Sequence, residues 1–280
     1  MPNNLVFIVM DSCRYDSYAR ASTPNMDRIG AGELRYSYAS WTSPSHQTLL
    51  MGQMPHKSPR GIFASEVYKK EFALWIDRLG ISDLSFKSFV PNLSLAKVLK
   101  DHGYRTVCRV SMPVLNNFAG FNRFFDDYRL MSDHNDFSGM VREIEFSPQQ
   151  PSFFFLNLGE THYPYMLKNS DLPHISGVHG VFKGMDDLLV RSGDDADEES
   201  AFFPQDVMTM LHEQQIRCVE RVDAILAELM DKAPEDTWFI ITSDHGELFG
   251  EGGYFGHGPI MHEKCFEVPF IEGRVRGEGK

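Results

Sequence analysis

Three largely apolar runs that each break off at ionisable residues constrain this chain more than any other feature. Residues 5–10 (LVFIVM) are continuously apolar and rich in Val and Ile, the pattern of a central parallel strand buried on both faces, and the run stops at Asp11. Residues 152–158 lead in the same way to Glu160, and residues 237–242 lead to Asp244 and His245. Three predicted strands thus bring polar groups to one edge of a sheet, which is where open α/β sheets place their sites.

Helical patterns lie between them. Residues 93–102 run up to Gly103, and residues 204–232 carry Met208, Leu211, Ile216, Val219, Val222, Ile225 and Leu229 at roughly helical spacing before Pro234. Residues 104–110 read as a further strand and residues 266–271 as a last one, with Pro269 placing that strand at an edge or a bulge. The alternation predicts an α/β fold, a doubly wound and mostly parallel sheet flanked by helices.

The chain has 280 residues, 42% of them hydrophobic, enough for one domain spanning residues 1–280. Residues 169–203 differ, with scattered Gly and Ser and an acidic cluster, and read as an insertion that is either a solvated loop or a lid over the site. Lys and Arg number 27 against 39 Asp and Glu, a formal charge of −12, which argues against nucleic acid as a general partner. The first apolar run is too short for a membrane span or a signal h-region and has no basic segment before it, so the expected setting is cytoplasmic, with no membrane partner. Cys13, Cys108, Cys218 and Cys265 are far apart, with no C-x-x-C pair, and read as reduced, mostly buried thiols.

Several segments could carry chemistry. Thr242-Ser243-Asp244-His245-Gly246-Glu247 closes a strand with two good divalent-metal ligands side by side. Gly256-His257-Gly258 sets another imidazole between glycines, a position open to a ligand or to an ordinary surface histidine. Trp41-Thr42-Ser43-Pro44-Ser45-His46 reads as a loop entering a helix, with Pro44 in the first turn and a hydroxyl at the cap. That hydroxyl is either a simple cap or part of an anion site.

Taken in order, these segments resemble the alkaline phosphatase superfamily, and within it the sulfatase-like hydrolases and phosphoethanolamine transferases. The matching pieces are the strand ending in Asp11, Thr23-Pro24-Asn25-Met26-Asp27, Thr42-Ser43-Pro44-Ser45-His46 with Leu49-Leu50-Met51-Gly52, and Gly103-Tyr104-Arg105-Thr106. Gly120-Phe121, Thr161-His162-Tyr163-Pro164 and Ser243-Asp244-His245-Gly246-Glu247 with His257 complete the set. The resemblance implies that Asp11, Asp244 and His245 ligate a metal, with Thr42 as nucleophile on the same ion. It puts His257 and His162 at a second ion or against the substrate. Glu160 is a possible further ligand. Arg14 and His262 stand close enough in sequence to touch the substrate anion. The chain is short for this family, so a large C-terminal subdomain is not expected.

Departures from the family pattern bear on the chemistry. Thr42 stands where sulfatases carry the Cys or Ser that becomes formylglycine, and threonine cannot form that aldehyde. His46 replaces the usual arginine. Val110-Ser111-Met112-Pro113 stands where a sulfate-holding Lys-Trp-His element is common, and His257 where many have lysine. A threonine alkoxide suits phosphoryl chemistry, because a divalent ion lowers the pKa of a bound hydroxyl enough for attack. The imidazole-rich set favours two Zn²⁺ or Mn²⁺ ions over Ca²⁺ or Mg²⁺. With a single ion, His46 or another base would activate water. The expected function is hydrolysis or transfer at a phosphate ester, monoester or phosphodiester, of a small anionic molecule. The alternatives are sulfate- or phosphonate-ester hydrolysis by unmodified Thr42, and a non-catalytic metal- or anion-binding homologue.

Overall fold

Leu5, Phe7 and Val9 of β1 (Asn4–Met10) enter one hydrophobic cluster while Val6, Ile8 and Met10 enter another, and all six are fully buried. This is why the first run is apolar without alternation: the strand has no solvent face. The computed structural model describes residues 2–57, 64–89, 92–165 and 204–276. The acidic segment 169–203 lies outside the described residues.

The other strands are β2 (Glu33–Tyr36), β3 (Arg105–Val110), β4 (Asp127–Leu130), β5 (Ser152–Leu158), β6 (Thr237–Thr242) and β9 (Glu267–Gly273), with a small separate pair, β7 (Leu248–Phe249) and β8 (Phe255–Gly256). The main sheet has the order β2-β9-β6-β1-β5-β3-β4. β6, β1, β5, β3 and β4 run parallel, β9 is antiparallel to β6, and β2 is antiparallel to β9. The fold is therefore the expected α/β one, mostly parallel, with an antiparallel margin.

Helices cover both faces. On the Phe7 face lie α3 (Thr42–Leu50), α4 (Ala64–Leu79), α5 (Phe86–Phe89) and α6 (Leu95–Asp101), contributing Leu49, Trp75, Leu79, Phe89 and Leu99 to the core. On the Ile8 face lie α1 (Tyr15–Arg20), α2 (Pro24–Ile29), α7 (Phe137–Glu143) and α8 (Gln205–Lys232). Val219, Val222, Leu226 and Leu229 of α8 recur at helical spacing and are buried against the sheet.

One local reading needs correction. β9 is not an edge strand, since β2 lies outside it; Pro269 is tolerated because it stands one residue beyond the β6 ladder, which ends at Thr242 opposite Phe270. The Thr23-Pro24-Asn25 segment builds structure: Asp223 of α8 accepts from the backbone N–H groups of Asn25 (3.2 Å) and Met26 (2.8 Å), capping α2 from another helix.

β6, β1 and β5 are neighbours in the sheet, so their C-terminal ends meet. Asp11 follows β1, Glu160 to His162 follow β5, and Ser243 to His245 follow β6.

Candidate metal centre

Asp11 and Asp244 face each other in a fully buried site, and ligand-capable atoms of Asp11, His46 and Asp244 lie within 4.8 Å of one another. Two carboxylates in one dry site repel, and the cost falls unevenly. It falls on Asp11, whose carboxyl burial and the neighbouring Asp244 push well up.

His245 shows what the site lacks. Its Nδ1 is 2.9 Å from the Gly246 carbonyl oxygen, which can only accept, so Nδ1 carries the proton and Nε2 presents a lone pair. That lone pair faces Asp244 Oδ2 at 3.3 Å, Asp11 Oδ1 at 3.8 Å and Thr42 Oγ1 at 3.3 Å. Burial lowers the pKa of His245 to about 4, so these are not ion pairs. Asp244 Oδ2 is buried with no hydrogen-bond donor. A lone pair set against carboxylate oxygens is repulsive unless a cation lies among them, and these donors fit a divalent ion held by Asp11, Asp244, His245 and Thr42.

His46 belongs to the distance cluster but not to this donor set. Its Nδ1 donates to the Thr42 carbonyl at 2.9 Å and lies 3.3 Å from Asp244 Oδ2, its Nε2 accepts from Asn157 Nδ2 at 3.2 Å, and its ring meets Phe121 and Phe155 edge-on. Both nitrogens are committed and the side chain is fully buried, so the expectation that His46 activates water is corrected: it braces the first turn of α3.

The nucleophile candidate is the first residue of that helix. Trp41 is the N-cap and makes no side-chain cap, so the hydroxyl at the cap read from sequence is also corrected. The Thr42 hydroxyl is left facing His245 Nε2 instead. Thr42 and Ser43 line a cavity of about 330 Å³ whose wall also includes His162 and His257.

His162 and His257 are adjacent, with ring centroids 5.1 Å apart, and His257 lies 4.3 Å from the ring of His245. His162 Nδ1 donates to the Tyr163 carbonyl at 2.7 Å. Burial and then the neighbouring His257 lower its pKa to about 3, leaving a neutral imidazole suited to ligation. His257 Nδ1 donates to Glu247 Oε1 at 2.8 Å, and Tyr165 donates to Glu247 Oε2 at 2.9 Å. Burial raises the Glu247 carboxyl to about 7, opposed by His162 and His245. A carboxylate holding one ring nitrogen fixes the direction of the other, the usual support for a metal-binding histidine.

Three candidates stand elsewhere. Arg14 is buried and bound to Asp16 (2.5 Å) and Glu251 (2.6 Å), with its guanidinium 5.3 Å over Phe249, so it ties the loop after β1 to the β7 region and is not available to a substrate anion. His262 accepts from Lys264 N at 3.2 Å and caps a short 3₁₀ turn instead of lining the cavity. Glu160 Oε1 accepts from Phe137 N at 2.7 Å, which puts the carboxylate at the start of α7.

Sequence reasoning missed Asn157 and Ser12. Asn157 is fully buried inside β5; its amide donates to Asp11 Oδ2 (2.9 Å) and His46 Nε2, and its oxygen accepts from Ser111 N and Met112 N, both at 3.2 Å. All its bonding capacity is used, which also fixes the amide orientation. The signal was an Asn interrupting a strand with no solvent face. Ser12 has φ 61°, in the left-handed region. The strain is held because Ser12 N donates to Asp244 Oδ1 (3.1 Å), its hydroxyl donates to Asp11 Oδ1 (3.2 Å) and its carbonyl accepts from Gln215 Nε2 (2.9 Å). Gly246 has a simpler reason: a Cβ there would sit 1.9 Å from the Lys264 carbonyl oxygen.

With this geometry in view, comparison with known proteins places the chain. The family model described as Sulfatase matches residues 3–272, and the chain belongs to that family. Among solved structures, it is similar to the C-terminal periplasmic domain of EcEptC from Escherichia coli in complex with Zn, with TM-score 0.58, 16% identity, and coverage of 98% of this chain and 73% of that one. It is also similar to the C-terminal periplasmic domain of the phosphoethanolamine transferase EptC from Campylobacter jejuni (TM-score 0.54, 15% identity, 96% and 78% covered). The third is BT1596, a 2-O GAG sulfatase (TM-score 0.59, 13% identity, 98% and 64% covered). At these identities the likeness is one of fold. No curated protein matches the sequence. Among the described residues no helix is long and apolar enough to cross a membrane. The cytoplasmic setting expected from sequence finds no support in these neighbours, two of which are periplasmic domains.

Proposed function

We propose that this member of the sulfatase family is a phosphoryl-transfer enzyme, a hydrolase or transferase of phosphate esters that uses Thr42 as its nucleophile. The observation that carries the reading is the placement of Thr42: it lines the cavity, and its hydroxyl lies 3.3 Å from His245 Nε2, which itself faces the Asp11–Asp244 pair. Threonine cannot become the formylglycine on which sulfate-ester hydrolysis in this family relies, so the residue at the decisive position favours phosphorus over sulfur.

In the first step Thr42 Oγ forms a bond to phosphorus as the bond to the departing alcohol breaks, and the proton of the Thr42 hydroxyl ends on that alcohol. In the second step water or another alcohol attacks the phosphothreonine, the Thr42–phosphorus bond breaks, and the hydroxyl is restored. A divalent ion held by Asp11, Asp244, His245 and Thr42 would supply the positive charge that makes the hydroxyl nucleophilic. His162 and His257, aligned by Tyr163 and Glu247, present Nε2 lone pairs set to hold a second ion. The imidazole-rich donors suit Zn²⁺ or Mn²⁺. His46 and Asn157 keep the first turn of α3 and Asp11 in register, and the uncapped N-terminus of α3 favours the charge that builds on phosphorus-bound oxygen.

A matched panel of p-nitrophenyl phosphate, a p-nitrophenyl phosphodiester, a phosphonate monoester and p-nitrophenyl sulfate, run on protein reconstituted with Zn²⁺ or Mn²⁺, tests the reading. Turnover of the phosphorus esters well above the sulfate is expected. Preference for the sulfate would overturn it, and absence of both turnover and metal uptake would point to a non-catalytic homologue.

A further inference from the structure

Gln215 is fully buried in the first half of α8, a helix that further along meets the sheet with Val219, Val222, Leu226 and Leu229. A primary amide out of water is costly unless each of its groups is paired. Here all four are. Nε2 donates to the Ser12 carbonyl at 2.9 Å and to the Thr161 carbonyl at 3.0 Å, while Oε1 accepts from the Ser17 hydroxyl at 2.6 Å and from Arg14 N at 3.4 Å. Two carbonyls on one side and two donors on the other also fix which way the amide points.

The two carbonyls belong to the two loops that carry ion-ligand candidates. Ser12 follows Asp11 at the end of β1. Its N–H donates to Asp244 Oδ1 at 3.1 Å, its hydroxyl donates to Asp11 Oδ1 at 3.2 Å, and that hydroxyl stands 3.4 Å from His257 Nδ1. Thr161 precedes His162 after β5, and its hydroxyl donates to the Asp11 carbonyl at 2.7 Å. One amide therefore spans the position built on Asp11, Asp244 and His245 and the position built on His162 and His257. It does so from a helix 203 residues away from Ser12 and 54 away from Thr161 in sequence.

The φ of 61° at Ser12 makes the first of these bonds matter. A serine in the left-handed region returns to ordinary backbone angles once its restraints are removed, and that return carries Ser12 N and Oγ away from the two carboxylates. The second bond acts on the other loop: without it the buried Thr161 carbonyl loses this donor, and the turn closed by His162 N on the Gly159 carbonyl (3.1 Å) loses its tie to α8.

Resting on the two-ion part of the reading above, we infer that Gln215 is a positioning residue for both ion positions, holding the loop after β1 and the loop after β5 at the spacing that two ions need. Asn157 bonds to a ligand candidate of the first position and Glu247 to one of the second. Gln215 serves both at once.

The test compares wild type with Gln215→Met, which keeps the length of the side chain without its polar groups, with Ser17→Ala, which removes only the hydroxyl that steadies Oε1, and with Asp223→Ala, which alters α8 at the cap it gives to α2. Each protein is stripped of metal and titrated with Zn²⁺ against a competing chromophoric chelator, and each apo-protein is unfolded in urea. Gln215→Met should weaken both stepwise dissociation constants roughly 10- to 100-fold, and Ser17→Ala should weaken both at least about threefold. Asp223→Ala should lower the urea midpoint and leave both constants within about twofold, which separates positioning from loss of stability. A Gln215→Met protein with a lower urea midpoint but wild-type affinity for both ions overturns the inference, and so does a loss confined to one ion. If Gln215→Met does not fold, Ser17→Ala decides: weakening of both constants supports the inference and unchanged constants overturn it. Uptake of fewer than two ions by the wild type is a failure of the two-ion reading itself, and the inference falls with it.

Discussion

The side-chain amide of Asn157 donates to Asp11 Oδ2 at 2.9 Å across the β1–β5 pair, in which Val9 is the register partner of Asn157. A metal-ligand candidate on one strand is thus oriented by a buried polar residue on the next. Asn157→Ala would leave Asp11 Oδ2, His46 Nε2 and two backbone N–H groups without this partner. The expected result is a loss of about 1–3 kcal/mol in stability and a roughly 10- to 100-fold loss in affinity for the first ion, read by chemical denaturation and by competition with a chelator. Unchanged affinity would show that Asn157 serves the fold alone.

Glu247 plays the same part for His257. Glu247→Gln keeps the shape but removes the charge that holds His257 Nδ1–H. Metal content measured by elemental mass spectrometry should fall from two ions per chain toward one, with roughly 10- to 100-fold weaker binding at the second position. Loss of both ions together would mean that the two positions are not separable in this way.

Asp223 is predicted to be structural. Its carboxylate caps α2 from α8 and lies far in sequence from every metal-ligand candidate. Asp223→Ala should cost about 1–2 kcal/mol, the range for a lost helix cap. Corrected turnover should stay within about twofold, as expected for a change remote from the chemistry. A large fall in turnover with stability intact would place the Thr23-Pro24-Asn25 segment in the active site.

Stability at acid pH should report the Arg109–Asp127 pair. The hydrogen bond from Arg109 holds the Asp127 carboxyl below its usual value, at 2.7 Å from Nη2. A carboxylate with a depressed folded pKa binds fewer protons folded than unfolded, so its contribution is present above the unfolded value and is lost as pH falls through the folded one. The side chain is 39% exposed, so the contribution is below about 1 kcal/mol. Asp127→Asn should lower the melting temperature slightly at pH 7, and the two proteins should converge below about pH 4. A constant offset down to pH 2 would assign the difference to packing.

The strand grammar carried much of this structure. Asp11, Asp244 and His245 were legible because an apolar run with no alternation has no solvent face, and the first polar group after it falls at the sheet edge. What was not legible depended on neighbours across the sheet. Asn157 looks like a flaw in an apolar run until β5 is known to lie beside β1. His46 and Arg14 looked reactive because their partners, Asn157 for one and Glu251 for the other, stand more than a hundred residues away in sequence. Pro269 suggests an edge or a bulge because the sequence does not show where the β6 ladder stops.

The most direct test of the central claim is to trap the covalent intermediate. Metal-loaded protein mixed with a phosphodiester and quenched in acid should yield, by peptide mass spectrometry, a phosphoryl adduct on Thr42. Thr42→Ala should show no adduct and no turnover while keeping its fold and most of its metal. Normal turnover by Thr42→Ala, or an adduct on another residue, would contradict the assignment of Thr42 as the nucleophile.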